Sequence, residues 1–140
     1  PVSELLRRQQ AAQAAVDRFK DQPLAYGKND CVRLAAFVLR KMGHRPQLAK
    51  AGSYSTALGA VRALERVGHA DLAAAVDALG LPRIAPAAAW VADLVLLPAE
   101  GPFGGALSVA VGNGRVLGYH EDVNGADILQ PVQYLAAWRV

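Results

Sequence analysis

One residue in this sequence is well placed for covalent chemistry, its only cysteine. Cys31 stands in Tyr26-Gly27-Lys28-Asn29-Asp30-Cys31-Val32-Arg33-Leu34. A glycine-containing turn runs into Asp-Cys, and a helical apolar pattern starts at once. That spacing puts the thiol in the first turn of a helix, where backbone N–H groups and the macrodipole favour a thiolate. Such a thiolate attacks carbonyl carbon when a general base stands within reach. His120, in the polar stretch His120-Glu121-Asp122, is the candidate base. Read otherwise, it is an exposed strand-end histidine beside acidic residues. His44 and His69 follow Gly43 and Gly68 just past predicted helix ends and read as solvated caps. Cys31 has a second reading too, as a small buried hydrophobe. Its neighbour Asp30 carries a charge that opposes ionisation.

The elements that must position these residues are legible in outline. Ser3 caps a helix over 4–19 with Leu5, Ala12, Val16 and Phe19 near one face. Asp30 caps a second over 31–42, with Gly43 just past its end. Residues 44–54 read as a linker. Ser55 caps a third helix, with Leu58, Val61, Leu64 and Val67 as its stripe and Gly68 closing it. Asp71 caps a short fourth through Leu79, closed by Gly80. After Leu81 the pattern turns to strands: 90–97 as a buried run, 106–111 and 115–120 around Asn113-Gly114, then 128–130 and 136–140. Asn-Gly between apolar runs signals a two-residue hairpin. Without a bulge that turn sets His120 opposite Leu107. Helices first and an antiparallel meander second make an α+β domain. A single domain over 1–140 is expected, with an N-terminal helix in 1–22, a helical half in 23–80 and a sheet half in 81–140.

Composition narrows the classes. The chain has 140 residues, 53% hydrophobic and 19% charged, which describes a folded domain with a real core. No apolar run has the length of a membrane span, and no basic-then-apolar leader opens the chain. One cysteine excludes an internal disulfide framework and a cysteine-rich zinc site. No metal-ligand cluster and no nucleotide loop is read, so no cofactor is expected. The net charge is +3. Arg7-Arg8 and Arg40-Lys41 with His44-Arg45 read as solvated helix ends, and no nucleic-acid partner is expected. Asp93 reads as a strand-start carboxylate that accepts from N–H groups of the preceding loop. Trp90, Trp138 and Tyr134 read as core or interface aromatics. Phe103, in a Gly-rich loop, reads as a partner contact.

A cysteine opening a helix ahead of an antiparallel sheet is the papain-like layout, and these residues resemble the NlpC-type cysteine hydrolases. The aromatic-Gly turn before Asp-Cys is here Tyr26-Gly27 before Asp30-Cys31. The family's Gly-Asp-Leu/Val-Val strand is here Ala92-Asp93-Leu94-Val95. Its His-Val-Gly-Ile-Tyr-x-Gly strand is here Ala106-Leu107-Ser108-Val109-Ala110-Val111-Gly112. The resemblance spans roughly residues 23–120 and implies N-terminal helices packed on a small antiparallel sheet or half-barrel. It also carries departures: the catalytic histidine falls on Ala106, and the third polar residue falls near Gly118. Gly52-Ser53-Tyr54-Ser55 and the closing Ala137-Trp138-Arg139-Val140 further resemble small papain-like proteins from tail-gene clusters of tailed bacteriophages.

Three functions follow as expectations. The first is a structural tail-tip or tail-assembly component of the virion, made in the host cytoplasm, with a degenerate site and with hub or distal tail proteins as partners. The second is an active cell-wall peptidase that cleaves peptidoglycan stem peptides with Cys31 as nucleophile and His120 as base. The third is a binding domain of the same fold class unconnected with phage.

Overall fold

The architecture is given by a computed structural model, which describes residues 3–46, 52–119 and 125–140. Helix starts follow the side chains that can satisfy orphan N–H groups. Ser3 Oγ accepts from Leu6 N–H (3.1 Å) to open α1, Glu4–Phe19. Asp30 opens α2, Cys31–Lys41, by accepting from Arg33 N–H at 2.8 Å. Helix α3, Ala57–Arg66, is capped by Thr56 and not by Ser55: the Thr56 hydroxyl accepts from Gly59 N–H at 3.0 Å. Asp71 caps α4, Leu72–Asp77, which ends before Leu79. Gly43 and Gly68 take φ of +88° and +84° just past α2 and α3. That left-handed turn lets His44 and His69 N–H groups return to Leu39 and Leu64 carbonyls.

Six strands follow: β1 Arg83–Ile84, β2 Leu94–Leu97, β3 Ala106–Gly112, β4 Arg115–Tyr119, β5 Ala126–Leu129 and β6 Ala136–Trp138. They form one antiparallel sheet in the order β1-β6-β2-β3-β4-β5. The expected simple meander is thus corrected. Strands β2 to β5 do meander, but β6 returns to lie between β1 and β2. Trp138, at the end of β6, is fully buried there. The apolar run 90–97 becomes a strand only from Leu94, because Trp90–Asp93 is a turn, closed by Asp93 N–H on Trp90 O (2.9 Å) with Ala92 at φ +75°. Asn113 and Gly114 both take positive φ, as a type I′ hairpin turn demands. The hairpin is not regular, however. A bulge between Ala110 and Gly112 sets Leu117, not Gly118, opposite Val109.

The sheet buries both faces. Leu94, Leu96, Leu107, Val109, Leu117 and Trp138 join residues from α1, α2 and α4 in the main core. Val95, Leu97, Ala110, Val116 and Ala137 form a smaller cluster. Helix α1 packs through Ala11, Ala12, Ala15 and Phe19, small side chains that allow close approach, while Leu5 is exposed. On α3 the buried residues are Ala60 and Ala63, and Leu58 is 58% exposed, so the predicted stripe is rotated.

The main correction concerns charge. Arg8, expected on a solvated helix end, is buried against Asp93. Asp93 is fully buried and accepts from Arg8 Nη1 (2.8 Å), Trp90 N–H (2.8 Å) and Val140 N–H (2.9 Å), with Arg139 Nε ion-paired to it at 3.3 Å. Arg8 also donates to the carbonyls of Val91 and Val140. Trp90, itself exposed, lies under the Arg8 guanidinium at 4.8 Å. Removing one partner from such a buried pair costs about 3–5 kcal/mol, whereas a half-exposed ion pair is worth under ~1 kcal/mol. In urea denaturation Asp93→Ala should therefore lose several times the stability that Arg139→Ala loses. Equal losses would mean that the buried carboxylate does not hold the fold.

A second carboxylate reports on the sheet. Asp77 accepts from Trp138 Nε1 (2.8 Å) and from Arg83 (2.7 and 2.9 Å). The Arg83 and Trp138 hydrogen bonds pull its pKa from 3.8 down to about 2. A depressed folded pKa gives stability that is complete above about pH 4 and is lost as pH falls toward 2. Asp77→Asn should lower stability near neutrality and flatten the acid limb of the curve, followed by tryptophan fluorescence, so that variant and wild type converge as pH falls toward 2.

Candidate functional site

The Asp-Cys segment sits where the loop after α1 enters α2. The loop is pinned at both ends. Asp21 N–H donates to Ala126 O (2.7 Å), and Gly125, at φ +112°, lies so close that a Cβ there would stand 2.8 Å from Gln22 O. Further on, Ala25 and Asn29 exchange backbone hydrogen bonds, and Arg18 Nη1 holds the buried Asn29 side chain at 3.0 Å.

Asp30 organises the site. It is buried, and besides capping α2 it accepts from Gly27 N–H (2.7 Å) and from the Tyr54 hydroxyl (2.9 Å) through Oδ2. The Tyr26-Gly27 turn, the Asp-Cys pair and the Gly-x-Tyr-Ser segment are thereby one cluster. Gly27 needs to be glycine twice over: its φ is +85°, and a Cβ would collide with the Tyr54 carbonyl oxygen. Arg33 lies over the Tyr54 ring at 5.4 Å. Burial and the adjacent Asp30 carboxylate push the Tyr54 hydroxyl pKa well up, so it stays a donor.

Cys31 is partly exposed as a residue, but its thiol is enclosed. The backbone amides of Leu107 on β3, Cys31 and Val32 favour the thiolate. Desolvation outweighs them, and the Asp30 charge adds to it, so the pKa rises from 9.0 to about 11. Cys31 packs against the core cluster that contains Leu107, next to Ala106, the alanine that aligns with the histidine of the NlpC-type resemblance. The place of the third polar residue, Gly118, is filled from across the strand: a Cβ there would stand 3.1 Å from that of Ser108. Ser108 is buried and donates to Val95 O at 2.8 Å.

His120, the candidate base, lies outside the described residues. His44 follows the far end of α2 from Cys31, an exposed residue closing that helix. Tyr119 is the neighbour that the sequence did not reveal. Burial, Asp30 and Cys31 raise its pKa to about 12, opposed by Arg18, and its enclosed hydroxyl has no partner among the described residues. The bulge before Gly112 caused the omission, since it moves β4 one residue along β3. Asp93, by contrast, accepts from the preceding loop as expected, in a separate cluster. The Phe103 ring stacks on Tyr26 at 6.5 Å, and its carbonyl accepts from Leu72 N–H. Among the described residues no three His, Cys, Asp or Glu side chains converge on a metal-sized site. None of the described helices is long and apolar enough to cross a membrane.

Residues 4–140 match the model of a domain of unknown function, DUF6950, and the chain belongs to that family. No curated protein matches it.

A thiol at pKa about 11 is roughly a hundredfold less ionised near neutrality than one at 9.0. Iodoacetamide labelling of the native protein should be correspondingly slower than labelling in urea at pH 7.5. Its rate should still be climbing at pH 10. A native rate that plateaus below pH 8 would overturn this account of the thiol.

Proposed function

We propose that this chain is a papain-like domain that keeps the hydrolase layout without the hydrolysis, and serves as a packing component of the tail tip of tailed bacteriophages. One observation carries the first half: the helix-start thiol is held protonated, beside a β3 segment whose residue 106 is alanine. A nucleophilic cysteine needs the thiolate and a base to form it. Here Asp30, the residue that starts the helix, works against the charge. The resemblance of the Asp-Cys, Gly-x-Tyr-Ser and Ala-Trp-Arg-Val segments to tail-cluster proteins supports the second half. In that setting the domain contributes surface and shape, with hub or distal tail proteins beside it.

The competing reading is a peptidoglycan peptidase that uses Cys31 and His120. What favours it is that the Leu107, Cys31 and Val32 amides act to lower the thiol's pKa. The two readings part in a turbidity assay on purified cell walls. The protein should clear nothing above buffer, and Cys31→Ala and His120→Ala should be indistinguishable from it. Clearing that both substitutions abolish would establish the peptidase. For the assembly role, antibody to the protein should detect it in purified virions, and Cys31→Ala virions should form at the wild-type titre. Absence from intact particles would overturn the tail-tip assignment.

A further inference from the structure

Helices α2, α3 and α4 do not close on one another. Between them runs a groove of about 520 Å³. Its walls and floor are apolar, with Leu39, Leu64, Val76, Phe103 and Leu107 among them, and Leu79 stands 44% exposed at its lip. Apart from the Tyr54 hydroxyl, the polar side chains that line it are basic. Arg33, Arg45 and His69 reach it, and no acidic side chain does among the described residues. Nearby acids are already engaged: Asp30 by three donors, and Asp71 by the start of α4. Arg33 Nε is enclosed and donates to nothing among the described residues. Arg40 and Lys41, exposed in the last turn of α2, add further positive charge at that end of the helix.

We infer that this groove is a docking site for an acidic peptide segment of a partner protein, with apolar side chains in the groove and carboxylates at the arginines. Charge and length together select that occupant. Arg33 stands about 12 Å from the end of α2 at 1.5 Å per residue, and Arg45 lies four residues beyond that end. A ligand with one carboxylate can meet one of them. An extended peptide of about seven residues, at ~3.3 Å each, spans both. A volume of this size takes a few side chains, within the usual range of ligand pockets of roughly 300–1,000 Å³. This inference stands on the three helices and not on the tail-tip reading, so either can fail alone.

Fluorescence anisotropy on the full chain tests it. The probe is a fluorescein-labelled peptide of about seven residues, leucines alternating with serines and a glutamate at each end. Its counterpart carries lysine in place of glutamate. The acidic probe should bind, should bind at least tenfold tighter than the lysine peptide, and should weaken as salt rises. Arg45→Glu, at an exposed site, should cut its affinity at least fivefold, with Arg115→Glu as the control that changes nothing. Ala75→Trp, at a half-buried lining position, should block binding while the circular dichroism stays that of the wild type. Equal binding of the two peptides, or no binding of either, would overturn the inference. So would displacement of the probe by dodecanoate with an affinity that Arg45→Glu leaves unchanged, since that would make the groove an acyl-chain site.

Discussion

Everything else in this fold is arranged around one carboxylate that water cannot reach. Asp93 is fully buried, and a bare charge there would cost several kcal/mol. Two backbone N–H groups and two guanidinium groups remove that penalty, and they come from three separate places in the chain: the start of α1, the turn before β2 and the residues after β6. The demand for donors drags Arg8 off the surface and fixes the start of α1 against β2 and β6. Once α1 is set, its alanine face and Phe19 settle on α2 and the sheet, and its end is stitched to Ala126. The loop from Pro23 to Asp30 then has little freedom, and Cys31 falls where it does as a consequence.

At Cys31 two physical effects compete, and their sizes decide the outcome. A helix N-terminus offers a nearby negative charge roughly 0.3–1 kcal/mol, less than a tenfold gain in ionisation. Enclosure and the Asp30 charge move the pKa from 9.0 to about 11, roughly a hundredfold the other way. The local sequence therefore points to a nucleophile, and the tertiary setting withdraws it. No change to α2 alone would restore the thiolate; an imidazolium partner would have to be supplied from elsewhere in the chain.

What the sequence revealed and what it hid divide along the range of the interaction. Caps at Ser3, Asp30 and Asp71, the glycine ends at 43 and 68, and the Asn113-Gly114 turn depend on neighbours within a few residues, and all were legible. Fold class, helices ahead of an antiparallel sheet, followed from them. The burial of Arg8 depends on a carboxylate 85 residues away. The insertion of β6 depends on its pairing with β1 and β2, both far away in sequence, and the exposure of Leu58 on how α3 is tilted. The bulge before Gly112 has no composition signal, yet one extra residue there is enough to bring Tyr119 to the thiol. Of the candidate pair, Cys31 was placed correctly by its cap, and His120 falls outside the described residues.

The Asp-Cys motif has a use that requires no chemistry. Asp30 binds the Arg33 amide and the Tyr54 hydroxyl, and the Arg33 and Tyr54 side chains both line the groove between α2, α3 and α4. Gly27 allows the Tyr54 segment to lie against the turn before Asp30. A cluster shaped like a catalytic centre thus sets one wall of a binding surface. Loss of the thiolate leaves that wall intact, because none of its hydrogen bonds runs through sulfur. Replacement of Asp30 by a residue without a carboxylate would instead free Gly27 N–H, Arg33 N–H and Tyr54 at once, so the acid in this pair is under tighter structural constraint than the thiol.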